Sequence, residues 1–286
     1  MDYHYEKGRR ELEVLIQQDR VRCIYQAPCL NLSGPRSRKE ERFTNSFAKY
    51  LLQHLVELGS IQPNKRCQSY SCPHHGQTSW PKDSRIFNEK RLVRAIFNQQ
   101  RHSGNESISD PDNCIGELID YEIPLKQQMS GDPAGDIDLL GVCREKKIIN
   151  LIEVKILPKK SKRDTLLRAV MEIFTYYMLL DRNKFLDEYK DRLPRNLSSP
   201  SYQLVVCSQA GSLSAEQMKN FQTEQKDLLA LIEALANQIQ QSFLFCDFTI
   251  QGDETQPQLR LEEDRFFFAE NRSMAVTKIC EIRATR

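Results

Sequence analysis

The stretch Gly135-Asp136-Ile137-Asp138-Leu139-Leu140-Gly141, followed by Leu151-Ile152-Glu153-Val154-Lys155, sets acids inside two apolar runs. A buried strand ordinarily carries none. Successive side chains on a strand point to opposite faces, so Glu153 and Lys155 share one face and Ile152, Val154 and Ile156 take the other. Asp136, Asp138 and Leu140 line one face of the preceding run in the same way. The polar segment Arg144-Glu145-Lys146-Lys147 between the runs fits a turn. Together they predict a hairpin that presents Asp138, Glu153 and Lys155 side by side.

Buried charges are costly unless paired or bound to a metal. Two neighbouring carboxylates repel, and a hard divalent cation relieves the repulsion. A lysine beside such a cation can orient or deprotonate a water, or stabilise negative charge as it develops. That is the chemistry needed to attack a phosphodiester with water. The alternative is a hairpin edge with solvated charges, on which Lys155 pairs with Glu153 or Asp138. The apolar flanks and the acid-bearing strand upstream favour the functional reading.

From about Glu117 to Ala210 the chain resembles the PD-(D/E)xK nuclease superfamily. The stretch reads as strand (Leu118-Ile119-Asp120-Tyr121-Glu122-Ile123-Pro124-Leu125), acid strand, Glu-x-Lys strand, helix and strand. The resemblance implies a restriction-endonuclease-like α/β core, a mixed central sheet flanked by helices. It implies Asp138 as the motif aspartate, Glu153 as the second acid and Lys155 as the motif lysine. Mg²⁺ or Mn²⁺ would then be held by Asp138, Glu153 and the Val154 carbonyl. Ile137 stands where the motif has proline, and Asp136 on the same face competes with Asp138, which lies deeper in the apolar run. The resemblance also implies an acid from the helix before the first strand. Glu89 is the nearest candidate and Glu41 the second; for either, the alternative is a glutamate favouring its own helix N-terminus.

Thr165 to Leu180 predicts a crossover helix, apolar nearly all round and hence buried on more than one side. Arg168, Glu172 and Tyr176 interrupt it at a spacing of four and line one face. Glu172 occupies a position where many members of the superfamily carry glutamine, which implies an active-site role. The alternative is an Arg168–Glu172 surface pair. The run Pro158-Lys159-Lys160-Ser161-Lys162-Arg163 follows the Glu-x-Lys strand, so Lys159, Lys160, Lys162 and Arg163 are candidates to grip phosphates, with Arg168 beside them. A solvated turn is the alternative.

The other elements follow from periodicity and capping. Tyr5 to Gln18 reads as a charged helix, and Cys23 to Pro35 as a loop containing a short strand. A helix opens at Ser37-Arg38-Lys39-Glu40-Glu41 and runs to Leu58, stopped by Gly59, with His54 as a core residue. Residues 59 to 82 form a long loop in which Cys67 and Cys72, with Cys23 and Cys29, are candidate ligands for a structural zinc, although the spacing is loose. Phe87 to Gln99 is a helix, and Arg101 to Asn113 a polar loop. Tyr202 to Cys207 is a buried strand. Ser214-Ala215-Glu216-Gln217 is a capping box opening a helix to about Gln241. Phe243 to Ile250 is a final clear strand, with Arg265 to Ala269 as a further candidate. The expected layout is an N-terminal helical and loop elaboration over 1–84 and a nuclease-like domain over 85–286 with C-terminal helix and strand additions, or one continuous domain.

The 286 residues are 40% hydrophobic and 28% charged, which fits a globular protein. No apolar run reaches the roughly 18 residues a membrane span needs. The first ten residues lack the apolar core of a signal peptide. Nine scattered cysteines fit reduced thiols. These features point to a cytoplasmic protein with no membrane partner. A net charge of +2, from 41 basic and 39 acidic residues, lacks the overall basicity of many nucleic-acid binders but allows local segregation. No Gly-rich phosphate loop, H-E-x-x-H or G-x-S-x-G is present. The sequence thus predicts a metal-dependent nuclease, with DNA favoured over RNA. Cutting both strands of a duplex needs two sites, which a homodimer would supply. The alternative is a catalytically inactive module of the same fold that binds nucleic acid or protein.

Overall fold

A computed structural model describes residues 3–31, 41–71, 88–103, 108–127, 134–157, 164–194, 200–252, 258–262, 265–269 and 272–285, with the side chains of 41, 42 and 103 left out. Helix α1 (Tyr3–Gln17), two 3-10 turns (Val21–Gln26 and Pro28–Asn31), α2 (Glu41–Leu52) and α3 (Leu55–Gly59) precede α4 (Glu89–Ser103). Then come β1 (Ile108–Ser109), β2 (Glu117–Pro124), β3 (Asp136–Cys143), β4 (Ile148–Lys155), α5 (Leu166–Leu179), α6 (Arg182–Tyr189) and β5 (Ser201–Gln209). The chain continues through α7 (Leu213–Glu224), α8 (Lys226–Ile239), β6 (Ser242–Ile250), β7 (Leu259–Glu262), β8 (Arg265–Phe268) and β9 (Met274–Ile282).

The architecture is α/β. Seven strands form one mixed sheet in the order β1-β9-β6-β5-β4-β3-β2, and β7 and β8 pair separately. β2, β3 and β4 are an antiparallel meander, and a turn at Arg144–Lys147 joins β3 to β4. β4, β5 and β6 run parallel, which requires the helical crossovers supplied by α5–α6 and α7–α8. β9 returns antiparallel to β6 and pairs parallel with β1.

Strand alternation sorts the apolar side chains into two layers. Ile149, Leu151, Leu204, Val206, Phe243 and Phe245 share one core with α5, α7 and α8. Ile152, Val154, Val205, Leu244 and Phe248 face the other way and pack with Leu92, Val93 and Ile96 of α4 and Phe266 and Phe268 of β8. The first core also takes in Leu12, Ile24 and Phe47, so residues on both sides of position 84 build it. Fully burying such side chains contributes about 1.5–3 kcal/mol each.

Several sequence expectations are corrected. The short strand expected after Cys23 is absent among the described residues: Val21–Gln26 and Pro28–Asn31 are 3-10 turns, closed by Ala27 N–H to Ile24 and Leu30 N–H to Ala27. The helix expected to run unbroken to Leu58 stops at Leu52 and restarts at Leu55. His54 lies at that break, half-buried, in tilted ring contact with Tyr50 and bonded to Glu57 at 3.2 Å, so it is not a fully buried core histidine. Ser37 to Glu40 lie outside the described residues. The long helix expected from Ser214 is two helices, and its cap is Ser212, whose hydroxyl accepts the Ala215 N–H. Phe243–Ile250 is not the last strand, because β9 follows it, and β1 interrupts the loop expected up to Asn113.

The α7–α8 break has a tertiary cause. Gln225 closes α7 through its N–H to Phe221, and Asn45 of α2 caps the next helix by accepting Asp227 N–H at 2.9 Å and Leu228 N–H at 3.2 Å. A cap of this type stabilises a helix by about 1 kcal/mol. Asn45→Ala should therefore lower unfolding free energy by roughly 1–2 kcal/mol in urea titration with an unchanged m-value. Wild-type stability in this variant would show that the break does not depend on the cap.

Candidate active site

The backbone ladder between β3 and β4 spans Leu139↔Ile152 to Cys143↔Ile148. Beyond Leu139 the partner of the Val154 N–H is a side chain: it donates to Asp138 Oδ2 at 2.8 Å. A strand residue's N–H and C=O point to the same side, so the Val154 carbonyl also lies on the β3 side of β4. β4 stays paired to β5 through Lys155↔Ser208, which keeps Glu153 and Lys155 in register on the sheet.

Carboxylate oxygens of Glu89, Asp138 and Glu153 all lie within 4.8 Å of one another. Glu89 arrives from the first residue of α4, and that helix is fixed to the meander by Arg94, whose guanidinium grips Glu122 of β2 at 3.1 and 2.6 Å. Among the described residues this is the one group of three acids, cysteines or histidines close enough to share a cation. The sequence had offered Glu89 with a helix-dipole alternative; its place beside Asp138 and Glu153 puts it in the cluster. The side chain of Glu41 lies outside the described residues. Asp136, the competitor of Asp138, is more exposed and pairs with Lys90 at 3.4 Å.

Lys155 Nζ donates to Glu153 Oε1 at 2.6 Å and to Glu172 Oε2 at 2.9 Å. Glu172 Oε1 accepts the Tyr176 hydroxyl at 3.0 Å. The alternative, a surface pair between Arg168 and Glu172, does not form: Glu172 turns inward to Lys155, and Arg168 pairs with Asp164 at 3.4 Å. Exposure is 2% for Glu153, 3% for Lys155 and 9% for Asp138, so the hairpin edge is not solvated.

Four carboxylates thus surround one ammonium, and the protonation equilibria follow. Burial, with Glu89 adding to it, pushes Asp138 well above the ordinary range. Burial, then Asp138 and Glu172, push Glu153 well up against the pull of Lys155. Burial also raises Glu89. Burial alone would lower Lys155, but Glu153, Glu172 and Glu89 outweigh it and hold the ammonium well above the usual lysine range. Burial would raise Glu172 too, yet the Lys155 charge and hydrogen bond, Arg168 and Tyr176 hold it below its ordinary value. In this arrangement Lys155 is a proton-bearing donor rather than a base.

Two features fit a divalent cation. Glu153 Oε2 is buried with no hydrogen-bond partner among the described residues. The donor set is all oxygen, which suits a hard ion rather than zinc. The arrangement can hold such an ion at Glu89, Asp138 and Glu153 and set a cationic donor beside it.

Other sequence candidates fall elsewhere. Lys159, Lys160, Lys162 and Arg163 lie outside the described residues, as does Cys72. Cys23 and Cys29 are buried free thiols and Cys67 is exposed, and none belongs to a group of potential metal ligands among the described residues. Asp164 was not singled out from the sequence, yet its charge acts on both Glu89 and Lys155. Its signal was its place one residue before the Thr165 cap of α5. No helix among the described residues is long and apolar enough to cross a membrane.

Comparisons with models of known families, with curated proteins and with solved structures found no match. The site therefore stands on its geometry, which makes a thermodynamic prediction. Asp138 and Glu153 have ordinary values of 3.8 and 4.5 and are raised in the fold. Their contribution to stability is full below those values and is lost as pH rises through the higher folded values. A cation that binds the ionised pair should reverse the loss. At pH 7.5, saturating Mg²⁺ or Mn²⁺ should raise the melting temperature by about 5 °C or more, taking roughly 2.7 kcal/mol at a hundredfold excess over Kd. Asp138→Asn keeps an acceptor for Val154; it should melt higher than wild type without metal and not respond to metal. Equal responses in both proteins would exclude Asp138 as a ligand.

Proposed function

We propose that the chain is a metal-dependent nuclease of the PD-(D/E)xK type, hydrolysing phosphodiester bonds in nucleic acid, DNA before RNA. One observation carries the reading: three carboxylates and a lysine ammonium converge where β3 and β4 stop pairing. The element order supports it. A helix, an antiparallel three-strand meander, a helical crossover and a parallel strand, α4, β2-β3-β4, α5–α6 and β5 with the two-residue β1 between α4 and β2, is the order that the restriction-endonuclease-like core would have.

On this reading Glu89, Asp138 and Glu153, with the Val154 carbonyl, hold Mg²⁺ or Mn²⁺. Such an ion supplies Lewis-acid polarisation of the phosphoryl group and a water of lowered pKa. The remaining work falls to the chain itself. Lys155 offers its ammonium protons to the attacking water or to a phosphate oxygen gaining charge, in a dry site where such donors count most. Glu153 and Glu172 hold that ammonium in place, and Asp138 is oriented by the Val154 N–H. Lys159, Lys160, Lys162 and Arg163 follow β4 in sequence and would grip flanking phosphates without reading bases. Two copies of the chain would serve cleavage of both strands.

Lys155→Ala should lower cleavage of duplex DNA in Mg²⁺ or Mn²⁺ by about 10²–10⁴-fold. Lys155→Arg should not restore it, because a planar guanidinium does not fit where a compact ammonium sits between two carboxylates. Full activity in Lys155→Ala preparations freed of contaminating nucleases would end the assignment. Neutralising Lys159, Lys160, Lys162 and Arg163 together should flatten the salt dependence of DNA binding by a slope of about 3–4. An unchanged slope would place the phosphate contacts elsewhere.

A further inference from the structure

Lys155 is held by a chain of side chains that leaves the hairpin and ends in the N-terminal segment. Tyr176, one turn after Glu172 on α5, gives its hydroxyl proton to Glu172. Tyr176 is also hydrogen-bonded to Tyr25. Tyr25 lies in the 3-10 turn Val21–Gln26, is 3% exposed, and meets the Tyr176 ring edge-on with centroids 5.4 Å apart. Its oxygen accepts Gln26 Nε2 at 2.8 Å and is also bonded to the main chain of Gly135.

Gly135 directly precedes the acid-bearing strand. A Cβ there would lie 2.1 Å from the Tyr176 hydroxyl oxygen, so a side chain at 135 would displace it. The strand and the tyrosine approach this closely because residue 135 is glycine. Glu172 and Lys155 are both long and rotamer-rich, and each needs a fixed partner to stay in one conformation. Purely apolar packing would need neither hydroxyl.

We propose that Tyr25 and Gly135 are positioning residues of the site: they fix Tyr176, Tyr176 fixes Glu172, and Glu172 fixes the Lys155 ammonium beside Glu153. The N-terminal turn is thereby part of the site rather than an appendage to it. The inference rests on Lys155 acting in the reaction, but the positioning belongs to the folded chain and is read without substrate.

The test is NMR of protein carrying ¹⁵N-lysine, observing side-chain ammonium groups, with the Lys155 signal assigned by its loss in Lys155→Met. Wild type should show a slowly exchanging Lys155 ammonium. Tyr25→Phe removes the oxygen that meets Tyr176, Gln26 and Gly135; it should leave the protein folded with a melting temperature lowered by a few degrees, and should speed exchange at Lys155 by about tenfold. Gly135→Ala should act at the same signal from the opposite side. In nuclease assays Tyr25→Phe should lower kcat with KM unchanged. An absent wild-type signal, or one unmoved in Tyr25→Phe, overturns the positioning. A moved signal in a protein without nuclease activity would uphold the positioning and overturn the nuclease reading, so the two fail separately.

Discussion

The structure depends on one electrostatic constraint: three buried carboxylates, a partly buried fourth from Glu89 and one buried ammonium are gathered at the end of a largely apolar sheet. Ionised groups out of water are costly unless paired. Lys155 compensates Glu153 and Glu172, and the Val154 N–H compensates Asp138. Ionising Glu89, Asp138 and Glu153 together would leave an excess of negative charge, and one Glu153 oxygen lacks any partner among the described residues. A fold meant only to be stable would do better with apolar residues here. A divalent cation at the three acids could balance that charge.

The sheet makes this arrangement by letting one ladder end early. β4 remains fixed to β5 along its full length, so Glu153 and Lys155 are rigidly placed. Asp138 substitutes a side-chain acceptor for the backbone acceptor that β3 no longer supplies. The Arg94–Glu122 clamp sets α4 against β2 and delivers Glu89, while α5, apolar on nearly every face, delivers Glu172. A site carried on strands and helix ends is held more firmly than one carried on loops.

Asp138, Glu153 and Lys155 were legible in the sequence because acids inside apolar strands are costly and strand alternation fixes their face. Glu172 and Tyr176 were legible as polar positions at helical spacing on an otherwise apolar helix, although the sequence left open whether Glu172 would pair with Arg168. The choice of partner depends on which way Glu172 turns, and that is decided by Lys155 across the sheet. Tyr25 could not be read, because its contacts lie with Gly135 and Tyr176, far away in sequence. The helix breaks at Gln53–His54 and at Gln225 carry no Gly or Pro, and the second is set by Asn45 from another helix. β9 was hidden by its polar positions, among them Lys278 and Glu281, which suit a strand beside a sheet edge.

The central claim, that the excess charge is balanced by a divalent cation, is tested most directly by an anomalous-difference map from crystals soaked in Mn²⁺. The account predicts a strong peak about 2.0–2.3 Å from carboxylate oxygens of Asp138 and Glu153, with Glu89 beside it. Well-ordered crystals with no peak there, Lys155 still bridging Glu153 and Glu172, and Mn²⁺ bound elsewhere would contradict it.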